Sequence, residues 1–475
     1  MDRTRTAGRL SALDAAFLYF ERPHEPLVVG CVVELESAPE RRRLLADLAS
    51  LVRRVPRLRE RPVRSPLDLE RPRWKRDPGF SVGRHLRHVV GPRTKQEQAH
   101  REAVETALSR RLPRDRPLWD VASIEPRSGG PALLVLRAHH CLLDGMSGMR
   151  LVELLSTPIA EERPRSAARA HAPKHALRRS PADPLWDGAR ALAELTATCV
   201  SLLHDAPAPP TPFNGALGKR RRAVWTTFSQ AAFDAVRAGT EATLNDTALA
   251  VISGALRRLL RRHSRGASRA PLRAVIPVSL RASASPASDV ALGNELSVVL
   301  PRLPIDVAGP RERLARVVAE MRSLKERGQA DAIAWALGLA GALPSPLEAM
   351  LPRLVPGSPV FNTVCTNVAG PTQPRTLAGR RIVGLHGIAP LFQGMGVEFA
   401  IVSHAGRVSI CANLDPELVR GGDALAEDLQ ESFAQLERAD VRTARPRAVG
   451  ITTPTRPPSR YANGVASSAS RARSV

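Results

Sequence analysis

The sequence predicts a mixed α/β fold built as two lobes, and three observations carry that prediction. Short apolar runs rich in β-branched residues alternate with segments of helical periodicity across residues 10–158 and again across 223–440. Between these stretches the chain turns to Pro, Ala and Arg, as in "PAPPTPFNG". Its 475 residues also exceed a single core, at roughly 100–200 residues per domain. The expected organisation is an N-terminal lobe over 1–156, a connection over 157–222, a C-terminal lobe over 223–440 and a tail over 441–475.

Each element has its own reason. "LVVGCVVELE" (27–36) is β-branched and reads as a strand. "ERRRLLADLASLVRRV" (40–55) places Leu44, Leu48, Leu51 and Val55 on one helical face, and "KQEQAHREAVETALSRRL" (95–112) is a second amphipathic helix. "PALLVLRAHH" (131–140) is a buried strand, and "GMSGMRLVELL" (145–155) returns to helical spacing. The connection holds one helix around 187–203. In the second lobe a helix spans 246–263. Strands follow over 272–280 and 294–303, then a helix over 310–327 and a strand over 360–368. A hairpin over 396–414 turns at Ala405-Gly406. The tail is rich in Pro, Ser and Arg with few large apolar residues, so it is expected to be disordered.

The composition excludes several classes. With 70 Lys+Arg against 46 Asp+Glu the formal charge is +24, almost all of it arginine, so the surface attracts anions. Nucleic acid is not the expected partner, because aromatics are only 4% and no aromatic-studded basic strand or zinc-finger spacing occurs. Five widely spaced cysteines without a CxxC pair argue for reduced thiols in a cytoplasmic compartment and against a zinc site. No secretory signal is legible at the N-terminus. No apolar run reaches the ~18 residues that a membrane span needs. The longest, "AIAWALGLAGALP" (332–344), suits a buried helix or a segment lying on a membrane surface.

The chemistry concentrates in "LRAHHCLLDGMSG" (136–148). A strand ends at His139 and His140, and a helix starts near Gly145. Successive strand residues point to opposite faces, so the two imidazoles cannot easily share a metal ion, and no metal is expected. The same alternation suits one histidine facing a cleft, as a proton acceptor near neutral pH, and the other supporting it. Asp144 is placed to orient the ring or to pin the loop, and Gly145 permits a tight turn.

"HHCLLDG" matches the HHxxxDG signature of the coenzyme-A-dependent acyltransferase superfamily, which includes chloramphenicol acetyltransferase and peptide-synthetase condensation domains. With "LSALDAAFLYFERPHEPLVVG", "RPLWD" (116–120), "LNDTALAVISGALRRLL", "PVSLR" (277–281), "LGNELSVVLPRLP" and "NVAGP" (367–371), the chain resembles the bacterial wax ester synthase/diacylglycerol acyltransferase family from about 10 to 438. The resemblance implies two chloramphenicol-acetyltransferase-like lobes with a channel between them, acyl-coenzyme A entering from one face and the acceptor from the other. It implies transfer of a fatty acyl group from acyl-coenzyme A, a co-substrate and not a bound cofactor, to a diacylglycerol or a long-chain alcohol. Work at a membrane or lipid-inclusion surface follows, peripheral and without a span.

In this reading His140 is the general base, His139 its support, Asp144 the holder of the loop through an arginine, and Gly145 the residue that keeps the channel open. Cys141 packs. Asn245 is the oxyanion donor or a support for the histidine loop, with a helix cap as the other role open to it. Pro117, Leu118 and Trp119 line the acyl pocket or serve as a turn and a core Trp. Asn367 and Gly370 shape a tight loop at the lobe interface. "GKRRRAVW" (218–225) is a candidate for coenzyme A phosphates, with a solvated loop as the alternative. A different hydroxyl or amine acceptor, or a non-catalytic binder of acyl-coenzyme A or lipid, are the other functions compatible with these residues.

Overall fold

The computed structural model describes residues 8–90, 96–126, 129–159, 208–263, 270–280, 292–341, 343–354 and 361–444. The helix expected at 187–203, Cys199 and the tail beyond 444 lie outside them. In chain order the elements are α1 (Ala12–Phe20), β1 (Val28–Leu35), α2 (Arg41–Arg54), β2 (Glu60–Val63), β3 (Arg73–Arg76), β4 (Leu86–Val90), α3 (Gln96–Ser109), β5 (Trp119–Glu125), β6 (Ala132–His139), α4 (Gly145–Leu155) and β7 (Thr157–Pro158). There follow β8 (Arg222–Ser229), α5 (Gln230–Arg237), α6 (Leu244–His263), β9 (Leu272–Ser279), β10 (Leu296–Val299), β11 (Arg302–Leu303), α7 (Pro310–Glu326), α8 (Gln329–Ala340) and α9 (Ser345–Leu354). The chain closes with β12 (Thr363–Ala369), β13 (Arg375–Leu377), β14 (Arg380–Ile388), β15 (Val397–His404), β16 (Arg407–Leu414) and α10 (Leu425–Ala444).

Two sheets organise the molecule. The first runs β4-β5-β6-β1-β14-β13-β7, and the second runs β10-β9-β12-β15-β16-β8 with β11 also pairing β9. Helix α2 buries Leu44, Leu48 and Leu51 against the first sheet together with Val152 and Leu155 of α4. The second lobe centres on α6, whose Leu249, Ile252, Leu256 and Leu259 pack with Phe399 and Ile401 of β15 and Leu429 of α10. The β15–β16 hairpin turns at Ala405-Gly406 with φ of 45° and 75°, the left-handed pair that a two-residue hairpin turn requires.

Several expectations need correction. The lobes are not consecutive in the chain. Strands β13 and β14, from the second half, cross into the first sheet, where β14 pairs β1 and β13 pairs β7. The strand expected over 294–303 is two, β10 and β11, separated at Leu300-Pro301, where proline offers no amide hydrogen to a ladder. Helix α6 starts at Leu244, not Asp246. Asp246 N donates to Thr243 Oγ1 (3.1 Å) and Thr243 N donates to Asp246 Oδ2 (2.8 Å). This reciprocal cap makes Thr243 the cap and places Asn245 inside the first turn. Helix α10 runs to Ala444, into the expected tail. The "GKRRRAVW" stretch divides: Lys219 and Arg220 are exposed just before β8, whereas Arg221 is buried beside Asp415 (3.7 Å) and Arg222 pairs Glu105 (2.7 Å) and Asp423 (2.5 Å).

Candidate active site

The two sheets face each other across an apolar cavity of about 250 Å³. Leu136, Arg137, Ala138 and His140 line the cavity, whereas His139 lies outside the lining and is fully buried, so the two adjacent histidines face different surroundings. Just past the strand, the His140 amide donates to Leu27 O (2.8 Å) and so fixes the backbone from which the ring projects. The imidazole stacks on Phe17 of α1, with ring centroids 3.9 Å apart and planes within 4°.

Electrostatics keep this ring neutral. Burial pushes the His140 pKa down to about 4, and His139 adds to the fall. Its own backbone carbonyl, Asp144 and the Asn294 side chain pull the other way. Asn294, in the loop before β10, clasps the histidine from the second lobe. Its Nδ2 donates to His140 O (2.7 Å) and to Asp14 Oδ1 of α1 (2.7 Å), and its amide donates to the same Asp14 oxygen (3.0 Å). Asn294 was not singled out among the sequence-predicted residues, although "LGNEL" carried it.

His139 has a different environment. Its Nδ1 accepts from Cys141 N (3.0 Å), which puts the proton on Nε2, 3.5 Å from Glu21 Oε1. Burial pushes the Glu21 carboxyl up, but His139, Arg114 and Arg111 outweigh it and hold it below the usual carboxylate range. His139 itself is pushed down, chiefly by burial. Cys141 is buried among Leu10, Val28 and Leu118, and burial raises its thiol pKa far above the ordinary value.

Asp144 caps α4: Oδ1 accepts from Ser147 N (2.8 Å) and Ser147 Oγ (2.5 Å), and Oδ2 lies 3.5 Å from Glu295 N across the lobe junction. These contacts, to two amides and a hydroxyl, tie the loop to α4 and to the strand β10 side of the junction. A Cβ on Gly145 would stand 2.7 Å from Val368 Cγ2 of β12, so glycine is what lets α4 approach the second sheet here.

The remaining candidates divide. Trp119 lines the cavity, stacks on His85 (4.3 Å) and donates through Nε1 to Leu58 O (2.8 Å). Pro117 and Leu118 are buried and do not line it; Leu118 O accepts from His139 N (2.9 Å), which makes this turn a brace for the strand. Asn367 sits within β12, not in a loop. Thr366 and Val368 flank it and line the cavity, so strand alternation turns Asn367 to the other face. Gly370 follows that strand, where a Cβ would lie 2.5 Å from Ser403 O. Asn245 is not in the lining either.

Thr366, Asp120 and Glu398 are polar lining residues without a role among the sequence-predicted ones. Thr366 contributes the one side-chain hydroxyl among the described lining residues. Asp120, the last residue of "RPLWD", accepts from Arg137 Nη2 (2.5 Å) and Nε (2.7 Å). Glu398 of β15 is fully buried, and burial raises its carboxyl well above the ordinary range; Oε1 accepts from Phe392 N (3.1 Å).

Comparison with known proteins follows this division of the chain. A probable diacylglycerol O-acyltransferase of Mycobacterium tuberculosis is 28% identical over 445 residues, covering 90% of this chain and 96% of that protein. A second putative one from the same species is 28% identical over 454 residues, 89% of each. Among solved structures, the wax ester synthase/diacylglycerol acyltransferase of Marinobacter aquaeolei VT8 superposes with a TM-score of 0.67 at 20% identity, covering 91% of this chain and all of that one. The first condensation domain of the calcium-dependent antibiotic synthetase, in complex with a substrate analogue, gives 0.61 at 16%, covering 92% and 98%. At these identities the likeness shows the fold alone. Residues 10–248, which hold the His140 loop, match the wax ester synthase/diacylglycerol acyltransferase catalytic domain. Residues 292–437, which hold Asn294 and the second cavity wall, match that family's C-terminal domain. Both sides of the cavity thus answer to one description, and the chain belongs to the wax ester synthase/diacylglycerol acyltransferase family.

Proposed function

We propose that this acyltransferase moves a fatty acyl group from acyl-coenzyme A to the hydroxyl of a diacylglycerol or a long-chain alcohol, at a membrane or lipid-inclusion surface, with His140 as general base. One observation carries the reading: a neutral imidazole, flat against Phe17, stands in an apolar cavity walled by both sheets. Acyl-coenzyme A is a co-substrate, and no bound cofactor takes part.

An alcohol is a poor nucleophile at neutral pH and needs a base within reach. His140 Nε2 takes the hydroxyl proton as the oxygen attacks the thioester carbonyl. The tetrahedral intermediate collapses, the C–S bond breaks, and the proton passes to the departing thiolate. No covalent enzyme intermediate forms, which agrees with Cys141 being sequestered away from the cavity. The positive charge that develops on the ring is met by its own carbonyl, held by Asn294, and by Asp144. The hydroxyl of Thr366 is the donor for the oxyanion, in place of Asn245.

The test is an assay of purified protein with palmitoyl-coenzyme A and hexadecanol in competition with dipalmitoylglycerol, following free thiol and product. His140→Ala is expected to lose about 10²–10⁴-fold in kcat while keeping its thermal transition. Thr366→Val is expected to lose about 10²-fold in kcat with KM little changed. Near wild-type turnover in His140→Ala, or lipid binding without thioester-dependent turnover in the wild type, refutes the proposal.

A further inference from the structure

Large apolar side chains are exposed together at one place where the lobes meet. The turn at 66–68, between β2 and β3, holds Leu67 at 88% exposure, and Leu69 follows at 65%. Leu347 and Met350 of α9 are 52% and 47% exposed, and Leu337 of α8 and Leu343 before α9 are also exposed. Helix α9 packs against the 66–68 turn, so these side chains belong to one surface. Arg71 bolts the two sides together: its Nε donates to Glu348 Oε2 (2.7 Å) and its Nη2 to Gly341 O. Leu67 and Asp68 both take positive φ, 52° and 54°, a conformation that costs a leucine roughly 1–2 kcal/mol. The turn accepts that cost with its leucine pointing outward, not into a core.

The same corner adjoins the candidate active site. Helix α1 packs against α8 and α9, and a Cβ on Gly341 would stand 2.7 Å from Ala12 Cβ. That helix carries Phe17, the residue stacked on His140. Charge selects the occupant. On the hairpin that carries the apolar tip, exposed Arg64, Arg73, Lys75 and Arg76 outnumber the carboxylates: Arg64 pairs Asp68 and Arg73 pairs Glu70, which leaves an excess of positive charge. A second copy of a chain with a net charge of +24 would bring like charges together, whereas anionic headgroups would be attracted.

We propose that the 66–69 turn and α9 form a docking surface for an anionic lipid bilayer or monolayer, seating the leucines among the acyl chains and bringing α1 to the lipid. This inference rests on the acyltransferase reading for its purpose, but its test does not. In flotation with vesicles of phosphatidylcholine containing phosphatidylglycerol, the wild type is expected to float. It should float less with phosphatidylcholine alone or at high salt. A quadruple variant, Leu67→Ser, Leu69→Ser, Leu347→Ser and Met350→Ser, is expected to lose vesicle partitioning by more than about tenfold. It should keep its thermal transition and its turnover of water-soluble short-chain substrates. His140→Ala should float like the wild type, so loss of chemistry and loss of docking are read separately. The proposal is overturned if the wild type does not float, or if the quadruple variant floats equally well. It is also overturned if the four changes split a wild-type dimer and leave flotation unaltered, since the surface would then serve a second copy.

Discussion

At the scale of single residues, the decisive quantity is the proton affinity of His140. An exposed imidazole titrates near ~6.5. Here burial pushes the value down to about 4, so the ring is already the free base at pH 7. The sign follows directly. With the folded value below the unfolded one, the unfolded chain binds the proton first as pH falls. The stability associated with this group is therefore complete above about 6.5 and declines as pH drops towards about 4. For catalysis, kcat/KM is expected to show no His140 inflection from pH 7 down to about 5 and an acid limb near 4. A pH–rate profile with that inflection near 6.5 would contradict the enclosed site. The pair of histidines, Asp144 and Gly145 were legible because they are adjacent in sequence and chemically conspicuous. Phe17, Asn294, Thr366 and Glu398 were not. Phe17, Thr366 and Glu398 reach the same cavity, and Asn294 the His140 backbone, from segments far apart in the chain, and each is an ordinary residue in its own segment.

At the scale of elements, β1 sets the position of the histidines. It pairs β6 with Val28 opposite His139 and Gly30 opposite Arg137, and it pairs β14 on its other side. A Cβ on Gly30 would lie 2.4 Å from Leu136 O, which is backbone and cannot step aside. Gly30→Ala is therefore expected to destabilise the protein by about 1–3 kcal/mol and to lower activity, because β6 must shift to accept the methyl. Thermal melting measures the first effect, and an unchanged midpoint would show that the ladder has slack. Most of these elements could be read in the sequence, since α2, β6, α4 and the β15–β16 hairpin have strong periodicity or turn chemistry. The misread ones share a cause. Asn-Asp looked like a helix start until Thr243 supplied the cap three residues before Asp246, and Pro301 lay unnoticed inside an apolar run.

At the scale of the whole molecule, the exchange of β13 and β14 is the feature that no local pattern announces. Strand pairing across some 344 intervening residues, 36–379, has no signature in periodicity, which records only what a segment buries. It makes the two halves interdependent. A fragment ending at residue 248 would keep β6, β1 and the histidines but lose β14, leaving β1 with an open edge. That fragment is expected to aggregate on expression, and a soluble monomer with cooperative unfolding would refute the expectation. The β1–β14 ladder runs from Gly30 to Leu35, beside the catalytic gap. Prising the halves apart like a clam would mean unzipping those rungs. The molecule is stitched, not hinged. Whatever product forms inside must therefore leave past helices and side chains, not by parting the sheet that β1 and β14 share.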